Sequence, residues 1–195
     1  MYYKVHDSFY KISNKKNYLV PYENCAGVIY LIRNPADIAI SLSNFLNISY
    51  TDSVKFLGNK KASLAENKDK IHKQVYQFLG TWEHHVKSWT EQKKIPIFVL
   101  KYEDLHTNPR IFFKRILKFI KLPIDEELIS KTIINADFKR LKKIENKYGF
   151  SERPDSCNSF FRSGILGEGK EKLSPNEYKN IRSNFKETLV KFSYM

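Results

Sequence analysis

Two polar side chains stand where an apolar segment gives way to an expected helix. Arg33 directly follows the run 27–32, and Ser41 lies about two turns further along the chain. An arginine presents paired donors to a phosphate, a serine hydroxyl adds one more, and the start of a helix contributes oriented N–H groups. The pattern allows a phosphate site at the edge of a sheet, and the alternative is a surface ion pair.

Two later segments carry comparable chemistry. Tyr102 ends a second apolar run and is expected to face the same edge of the sheet, unless its only role is packing. A further run combines aromatic, cationic and hydroxyl side chains with a glycine, which suits a loop that closes its backbone on an anion, or else an ordinary turn. That run is Phe160, Phe161, Arg162, Ser163 and Gly164.

A cation and an imidazole lie near the first residue. Lys4 and His6 are separated by one residue, so an extended chain presents both on one face. An imidazole changes its charge near neutral pH and can serve as an acid or a base. The alternative interpretation is a loose terminus with no part in chemistry.

Strand–helix units must position these residues. The run 27–32 is continuously apolar and β-rich, which predicts a strand buried on both faces. Asn34, Pro35 and Asp37 then occupy the N-cap, the first and the box-closing positions of a helix. The strand 97–101 and the helix after it form a second unit. Strands that alternate with helices indicate an α/β fold with a parallel sheet covered on both sides.

Apolar spacing predicts further helices and leaves two loops. One helix begins at Asn108–Pro109, and the last begins at a capping box over 174–177. The polar stretches 59–70 and 146–158 predict surface loops. A helical stripe of five turns is formed by Ile71, Val75, Phe78, Leu79, Trp82, Val86 and Trp89. The buried face of the last helix consists of Tyr178, Ile181, Phe185, Leu189 and Phe192.

Composition limits the class of protein. The chain has 195 residues with 42% hydrophobic and 14% aromatic content, enough for one globular domain that buries about 70% of its unfolded surface. Its apolar runs are far shorter than a membrane span, and it opens without a secretory signal, so no membrane is expected and the cytoplasm is the expected location. Cys25 and Cys157 are expected to be reduced thiols. The net charge of +13 suggests anionic partners, although the lysines are scattered.

Taken together, these segments resemble the cytosolic sulfotransferases, which use 3′-phosphoadenosine 5′-phosphosulfate (PAPS). The segment 30–35 with Ser41 is similar to the family motif whose arginine and serine hold the 3′-phosphate of the donor, and this assigns that role to Arg33 and Ser41. Lys4-Val5-His6 is similar to the family's Lys-Thr-His. The resemblance implies that His6 is the base that takes the acceptor's proton and that Lys4 contacts the transferring sulfonate.

The resemblance also implies an adenine site. Tyr102 matches the tyrosine that lies against the nucleotide, and Phe138 falls where a phenylalanine stacks on adenine. Arg162, Ser163 and Gly164 match the Arg-Lys-Gly segment that binds the 3′-phosphate, with serine in place of lysine. In the following segment 167–170, similar to Gly-Asp-Trp-Lys, glycine replaces tryptophan. The segment 80–89, which contains His85, is similar to a structural helix of the family.

The family's opening motif Tyr-Pro-Lys-Ser-Gly-Thr-Thr-Trp, which cradles the 5′-phosphosulfate, has no counterpart in the chain. We therefore expect one partial sulfotransferase domain over residues 1–195. Its fold should be the three-layer, P-loop NTPase-like α/β fold with a parallel central sheet flanked by helices, but without the first strand and phosphate loop, and with an exposed sheet edge. Because removing one preorganised donor costs about a hundredfold to a thousandfold in rate, the isolated chain should be a poor catalyst.

Three functions compete on the sequence. The first is transfer of a sulfonate from PAPS to a hydroxyl or amine of a small molecule, without a metal, in which a separate N-terminal chain carrying the missing loop is a potential partner. The second is a non-catalytic relic or a 3′-phosphoadenosine nucleotide-binding module. The third is a basic nucleic-acid-binding protein, which ranks last because no clustered basic stripe or nucleic-acid motif is present.

Overall fold

The computed structural model describes residues 1–12, 17–65 and 75–195. The strands are β1 (Val28–Ile32), β2 (Ser63–Leu64), β3 (Gln77–Phe78) and β4 (Ile97–Lys101). The helices are α1 (Pro35–Leu46), α2 (Tyr50–Leu57), α3 (Trp82–Thr90), α4 (Tyr102–Thr107), α5 (Pro109–Phe119), α6 (Glu126–Asn135), α7 (Phe138–Tyr148), α8 (Glu168–Lys172), α9 (Pro175–Asn184) and α10 (Lys186–Lys191). Within the described ranges, no helix is long and apolar enough to cross a lipid bilayer.

A small parallel sheet lies at the centre of the fold. β1 pairs with β4 in parallel, with Val28 opposite Ile97 and Ile32 opposite Lys101. α3 packs on one face of this pair, where the ring of Trp89 contacts Tyr30, and α5 packs on the other face, on β4. The predicted α/β fold with parallel strands and helices on both sides is therefore confirmed.

The prediction that the first strand is buried on both faces is wrong. Tyr30 and Ile32 are buried, whereas 40% of Ile29 and 53% of Leu31 is exposed. The helix α5 covers β4 on that face, where the rings of Phe98 and Phe119 lie 5.6 Å apart. The face of β1 that carries Ile29 and Leu31 is therefore exposed to water. Among the described residues, no further strand joins the pair.

The start of α1 follows the predicted cap with one change. The Asn34 side chain accepts a hydrogen bond from the Ala36 N–H at 2.9 Å, and Pro35 is the first helical residue. Asp37 does not close a capping box. Its carboxylate instead turns to the backbone of residues 167–169, so a side chain expected to act locally makes contacts distant in sequence.

The predicted five-turn helix before α3 is wrong. Residues 77–78 form a strand that pairs with β2, and the helix begins only at Trp82. Gly80 adopts φ +66°, a backbone conformation that ends the extended segment, and the Thr81 hydroxyl caps the new helix at the His84 N–H. Ile71 of the predicted stripe lies outside the described residues.

The last helix begins at the predicted capping box and is divided in two. Ser174 and Glu177 form reciprocal hydrogen bonds at the start of α9. The helix is interrupted at Phe185, and α10 begins at the next residue. Ile181, Phe185 and Leu189 are buried in the core, as their spacing predicts. The predicted loops are shorter than expected, because 59–70 contains β2 and α7 extends to Tyr148; residues 66–70 are not described.

Candidate functional site

A cavity of about 270 Å³ contains four of the side chains that the sequence singles out, Lys4, His6, Arg33 and Ser41. Its apolar walls come from Ile38, Leu42, Phe45, Leu64 and Phe160, and its remaining polar members are Asn44, Gln77, Glu152 and Cys157. An apolar pocket with a few convergent polar groups is the usual form of a small-molecule site.

The segment that carries Lys4 and His6 is fixed just after His6. Asp7, Ser8 and Phe9 are all buried. The Ser8 N–H bonds the Phe78 carbonyl at 2.9 Å, and the Asp7 carboxylate accepts from the Phe78 N–H at 2.7 Å. These contacts to β3 exclude the alternative of a loose terminus at this point of the chain.

His6 retains exposed surface while part of its ring lines the cavity. Burial of part of the ring and the charge of Lys4 lower the pKa of His6, and the opposing carboxylates of Glu152 and Asp7 offset this only in part. The imidazole is therefore neutral at neutral pH and free to accept a proton. Lys4 forms an ion pair with Glu152, which occupies part of its hydrogen-bonding capacity.

One N–H donor of Arg33 has no hydrogen-bond partner among the described residues. Its guanidinium stacks on the Tyr102 ring at 4.4 Å, donates from Nη2 to the Ile165 carbonyl at 3.4 Å and lies 3.8 Å from the Asp37 carboxylate. Its Nε is buried without a hydrogen-bond partner. A buried donor left unpaired costs about 1–3 kcal/mol. An anion placed here would satisfy it, and the donor set of Arg33 fits a phosphate oxygen.

A continuous set of contacts leads from Arg33 to Phe138. The rings of Tyr102 and His106 lie 6.1 Å apart, and His106 Nε2 donates to the Gly164 carbonyl at 3.0 Å. Gly164 has φ +66° and packs so closely on Phe138 that an added Cβ would lie 2.6 Å from the ring. Tyr102, Gly164 and Phe138 are thus brought together, although none of them lines the cavity.

Arg162 and Ser163 both bond one buried carboxylate. The Arg162 guanidinium forms a paired contact with Glu168, and the Ser163 hydroxyl donates to Glu168 at 2.6 Å. Lys172 contacts the same carboxylate. Burial opposes the ionised form of Glu168, but the bonds from Arg162, Lys172 and Ser163 outweigh it and lower the pKa of Glu168 to about 2.

Asp37 ties α8 to the start of α1. Its carboxylate, of which 3% is exposed, accepts from the N–H groups of Gly167 and Gly169, each at 2.8 Å. A Cβ on Gly169 would lie 2.3 Å from the carbonyl carbon of Ala36. Glycine in place of the family's tryptophan therefore permits direct contact between α8 and the backbone that follows Arg33.

Sequence reasoning missed several members of this region. His106 lies one helical turn after Tyr102, a spacing that could have identified it. Glu152 gave no signal, because a lone acidic residue in a polar stretch is common on any surface. Glu168 occupies the acidic position of the segment 167–170, which is similar to Gly-Asp-Trp-Lys, and that match could have identified it. His85, which the sequence predicts to be structural, does not line the cavity but forms a hydrogen bond to the backbone carbonyl of His6, which does.

Comparisons with known proteins identify the family of the chain. The family model described as Sulfotransferase domain matches residues 18–193. The mouse protein Sulfotransferase 1 family member D1 is 27% identical over 169 residues, covering 84% of this chain and 55% of that protein. Cytosolic sulfotransferase 15 of Arabidopsis thaliana is 32% identical over 162 residues, covering 79% of this chain and 44% of that protein. The chain spans about half the length of these relatives.

Solved structures show the same fold. Mouse sulfotransferase SULT7A1, complexed with PAP, superposes with a TM-score of 0.61 at 20% identity, covering 84% of this chain and 58% of that one. Retinol dehydratase, in complex with androsterone and the inactive cofactor PAP, gives a TM-score of 0.59 at 21% identity, covering 84% and 47%. With its sequence matched along most of its length and its fold shared, the chain belongs to the sulfotransferase family.

Proposed function

We propose that this chain carries the acceptor and 3′-phosphate halves of a PAPS-dependent sulfotransferase, which moves a sulfonate to a hydroxyl or amine of a small molecule. One observation carries the proposal: Lys4, His6, Arg33 and Ser41, matched separately to family motifs, line a single cavity. Chance matches at such distant positions in the chain would not be expected to meet.

The residues present fit a 3′-phosphorylated adenosine. Arg33 offers a buried, unpaired Nε, and Ser41 lies exposed on the same cavity. Tyr102 supplies an aromatic face already stacked by a cation, and Phe138 supplies a second ring. Arg162, Ser163 and Gly164 complete the proposed set, and Arg162 is held in place by Glu168.

When bound, PAPS supplies a sulfonate whose bond to the phosphate oxygen breaks as a bond from the acceptor oxygen or nitrogen to sulfur forms. His6 accepts the acceptor's proton on a ring nitrogen, which its lowered pKa leaves free at neutral pH. Lys4 has three N–H donors, and its ion pair with Glu152 leaves donors for the transferring group. The apolar walls orient a small acceptor, such as a simple phenol, and exclude water.

Nucleotide binding tests the 3′-phosphate assignment first. Calorimetric titration of the chain with 3′-phosphoadenosine 5′-phosphate should give a lower Kd than titration with AMP. Arg33→Ala should weaken binding of the first nucleotide by about 1.5–3 kcal/mol, the usual value of a hydrogen bond to a charged group. Arg115→Ala, which removes the same charge from an exposed position on α5, is the matched control.

Equal affinity for the two nucleotides would refute the 3′-phosphate site. Binding that is indifferent to the 3′-phosphate and strongly salt-dependent would instead favour a nucleic-acid-binding protein.

Transfer activity tests the base. The chain is assayed with PAPS and a simple phenol after a segment bearing the family's phosphosulfate loop is supplied, fused or as a separate N-terminal chain. His6→Ala should then lower the rate by about a hundredfold to ten-thousandfold without changing nucleotide affinity. His84→Ala, on an exposed position of α3, is the control. Full activity of His6→Ala would leave only the alternative function of a nucleotide-binding module.

A cytoplasmic location is proposed on the similarity of the chain to cytosolic sulfotransferases.

A further inference from the structure

The ring of His85 connects a core strand to the backbone of His6. Its Nε2 lies 2.9 Å from the His6 carbonyl oxygen, and its Nδ1 lies 2.8 Å from the hydroxyl of Tyr30 on β1. A carbonyl only accepts hydrogen bonds, so Nε2 carries the hydrogen. In the neutral ring Nδ1 must then accept from the Tyr30 hydroxyl. The two contacts define one tautomer and one direction of donation, from Tyr30 to His85 to His6.

Burial keeps this arrangement in one protonation state. It lowers the pKa of His85, and the bond to the His6 carbonyl raises it by less. Burial likewise raises the pKa of Tyr30. The ring of His85 is neutral and the hydroxyl of Tyr30 is protonated at neutral pH, so both donors stay available.

One side of α3 bonds the backbone of the segment that follows His6, which β3 also holds. Trp89 donates from its indole nitrogen to the Asp7 carbonyl at 2.9 Å, and the Ser88 hydroxyl accepts from the Phe9 N–H at 3.0 Å. His85 is the member of this set that bonds His6 itself. Residues 1–6 are exposed, so the position of His6 depends on few contacts, among them the bond of its carbonyl to His85 and the ion pair of Lys4 with Glu152.

We propose that His85 is a positioning residue which, together with Tyr30, holds the backbone of His6 and thereby fixes the imidazole of His6 in the cavity. The inference rests on the proposed role of His6 as the base. His85 touches neither acceptor nor nucleotide in this assignment. It acts by keeping His6 at the distance that proton transfer requires, and misplacement by about 1 Å can cost a hundredfold in rate.

Histidine-ring NMR of the 195-residue chain tests the position of His6 without requiring activity. His85 should show the neutral tautomer with its hydrogen on Nε2. In His85→Ala the pKa of His6 should rise toward its ordinary value of about 6.5, because the ring leaves the cavity. His85→Gln, whose side-chain amide can donate to the same carbonyl, should restore the lowered value. His84→Ala should leave it unchanged.

An unchanged pKa of His6 in a folded His85→Ala would overturn the proposal, as would failure of the Gln variant to restore it. If His85→Ala does not fold, Tyr30→Phe takes its place: without the bond from the Tyr30 hydroxyl to Nδ1, the ring of His85 is held less firmly, so the pKa of His6 should move toward its ordinary value, and an unchanged pKa of His6 would overturn the proposal. In the protein assembled with its loop, His85→Ala should lower kcat about tenfold to a hundredfold at constant nucleotide affinity. Should His6→Ala leave transfer intact, the proposed function fails while the NMR result stands.

Discussion

Glu168 offers a direct test of how the predicted phosphate-binding segment is stabilised. Of its side chain 5% is exposed, and it binds Arg162, Ser163 and Lys172 at once. Glu168→Gln removes the negative charge with almost no change in volume. The variant keeps one carbonyl oxygen as an acceptor, but in either orientation its amide NH2 group faces the Arg162 guanidinium.

The magnitude follows from the pKa. The pKa of Glu168 falls from the ordinary value of 4.5 to about 2. Each unit of pKa corresponds to 1.36 kcal/mol, which gives roughly 3 kcal/mol of stability at neutral pH. The partners Arg162 and Lys172 are 29% and 39% exposed, so solvent screens part of this energy. We expect Glu168→Gln to reduce the free energy of unfolding by about 2 kcal/mol at pH 7.

The pH dependence identifies the source of this stability. A carboxylate whose pKa is lowered on folding stabilises the protein above its unfolded pKa, and the contribution is lost as pH falls through the folded pKa. The difference between the native chain and Glu168→Gln should therefore be constant from pH 7 to about pH 5. It should shrink to less than about half by pH 3.

Urea unfolding followed by circular dichroism at several pH values measures this difference. Glu171→Gln, an exposed position on the same helix, is the matched control and should change stability by less than about 0.5 kcal/mol. A difference between the native chain and Glu168→Gln that does not vary from pH 7 to pH 3 would refute the reasoning.

Two other contacts of the same region give further predictions. Asp37→Asn should lower the free energy of unfolding, measured in urea, by about 2–4 kcal/mol, because the N–H of Gly167 or the buried N–H of Gly169 would face an amide N–H instead of a carboxylate oxygen. A loss below about 0.5 kcal/mol would contradict the role of Asp37 in joining α8 to α1. Gly169→Ala should lower Tm sharply or prevent folding, since its Cβ would overlap the Ala36 backbone. Gly58→Ala, where the nearest backbone atom is 3.6 Å away, should leave Tm nearly unchanged, and equal effects of the two alanines would exclude this explanation.

Local rules accounted for the main elements. The capping box at Ser174, the proline start at Pro35 and the paired strand–helix units are visible in sequence because each depends on residues within one turn of one another. Motif resemblance supplied Lys4, His6, Arg33 and Ser41 as candidates, and these line one cavity. The helix expected across residue 78 failed because pairing with β2 overrode its apolar period.

The sequence alone therefore determined which residue types are present for binding an anion and moving a proton, and which elements carry them. Only the tertiary structure decided their partners: Glu168 for Arg162, Glu152 for Lys4, and the His85 ring for the backbone of His6. A hydrogen bond between residues far apart in the chain produces no local period or spacing, so no pattern in the sequence records it. The burial and hydrogen bonding that set the pKa values of Glu168 and His6 arise only when the chain folds.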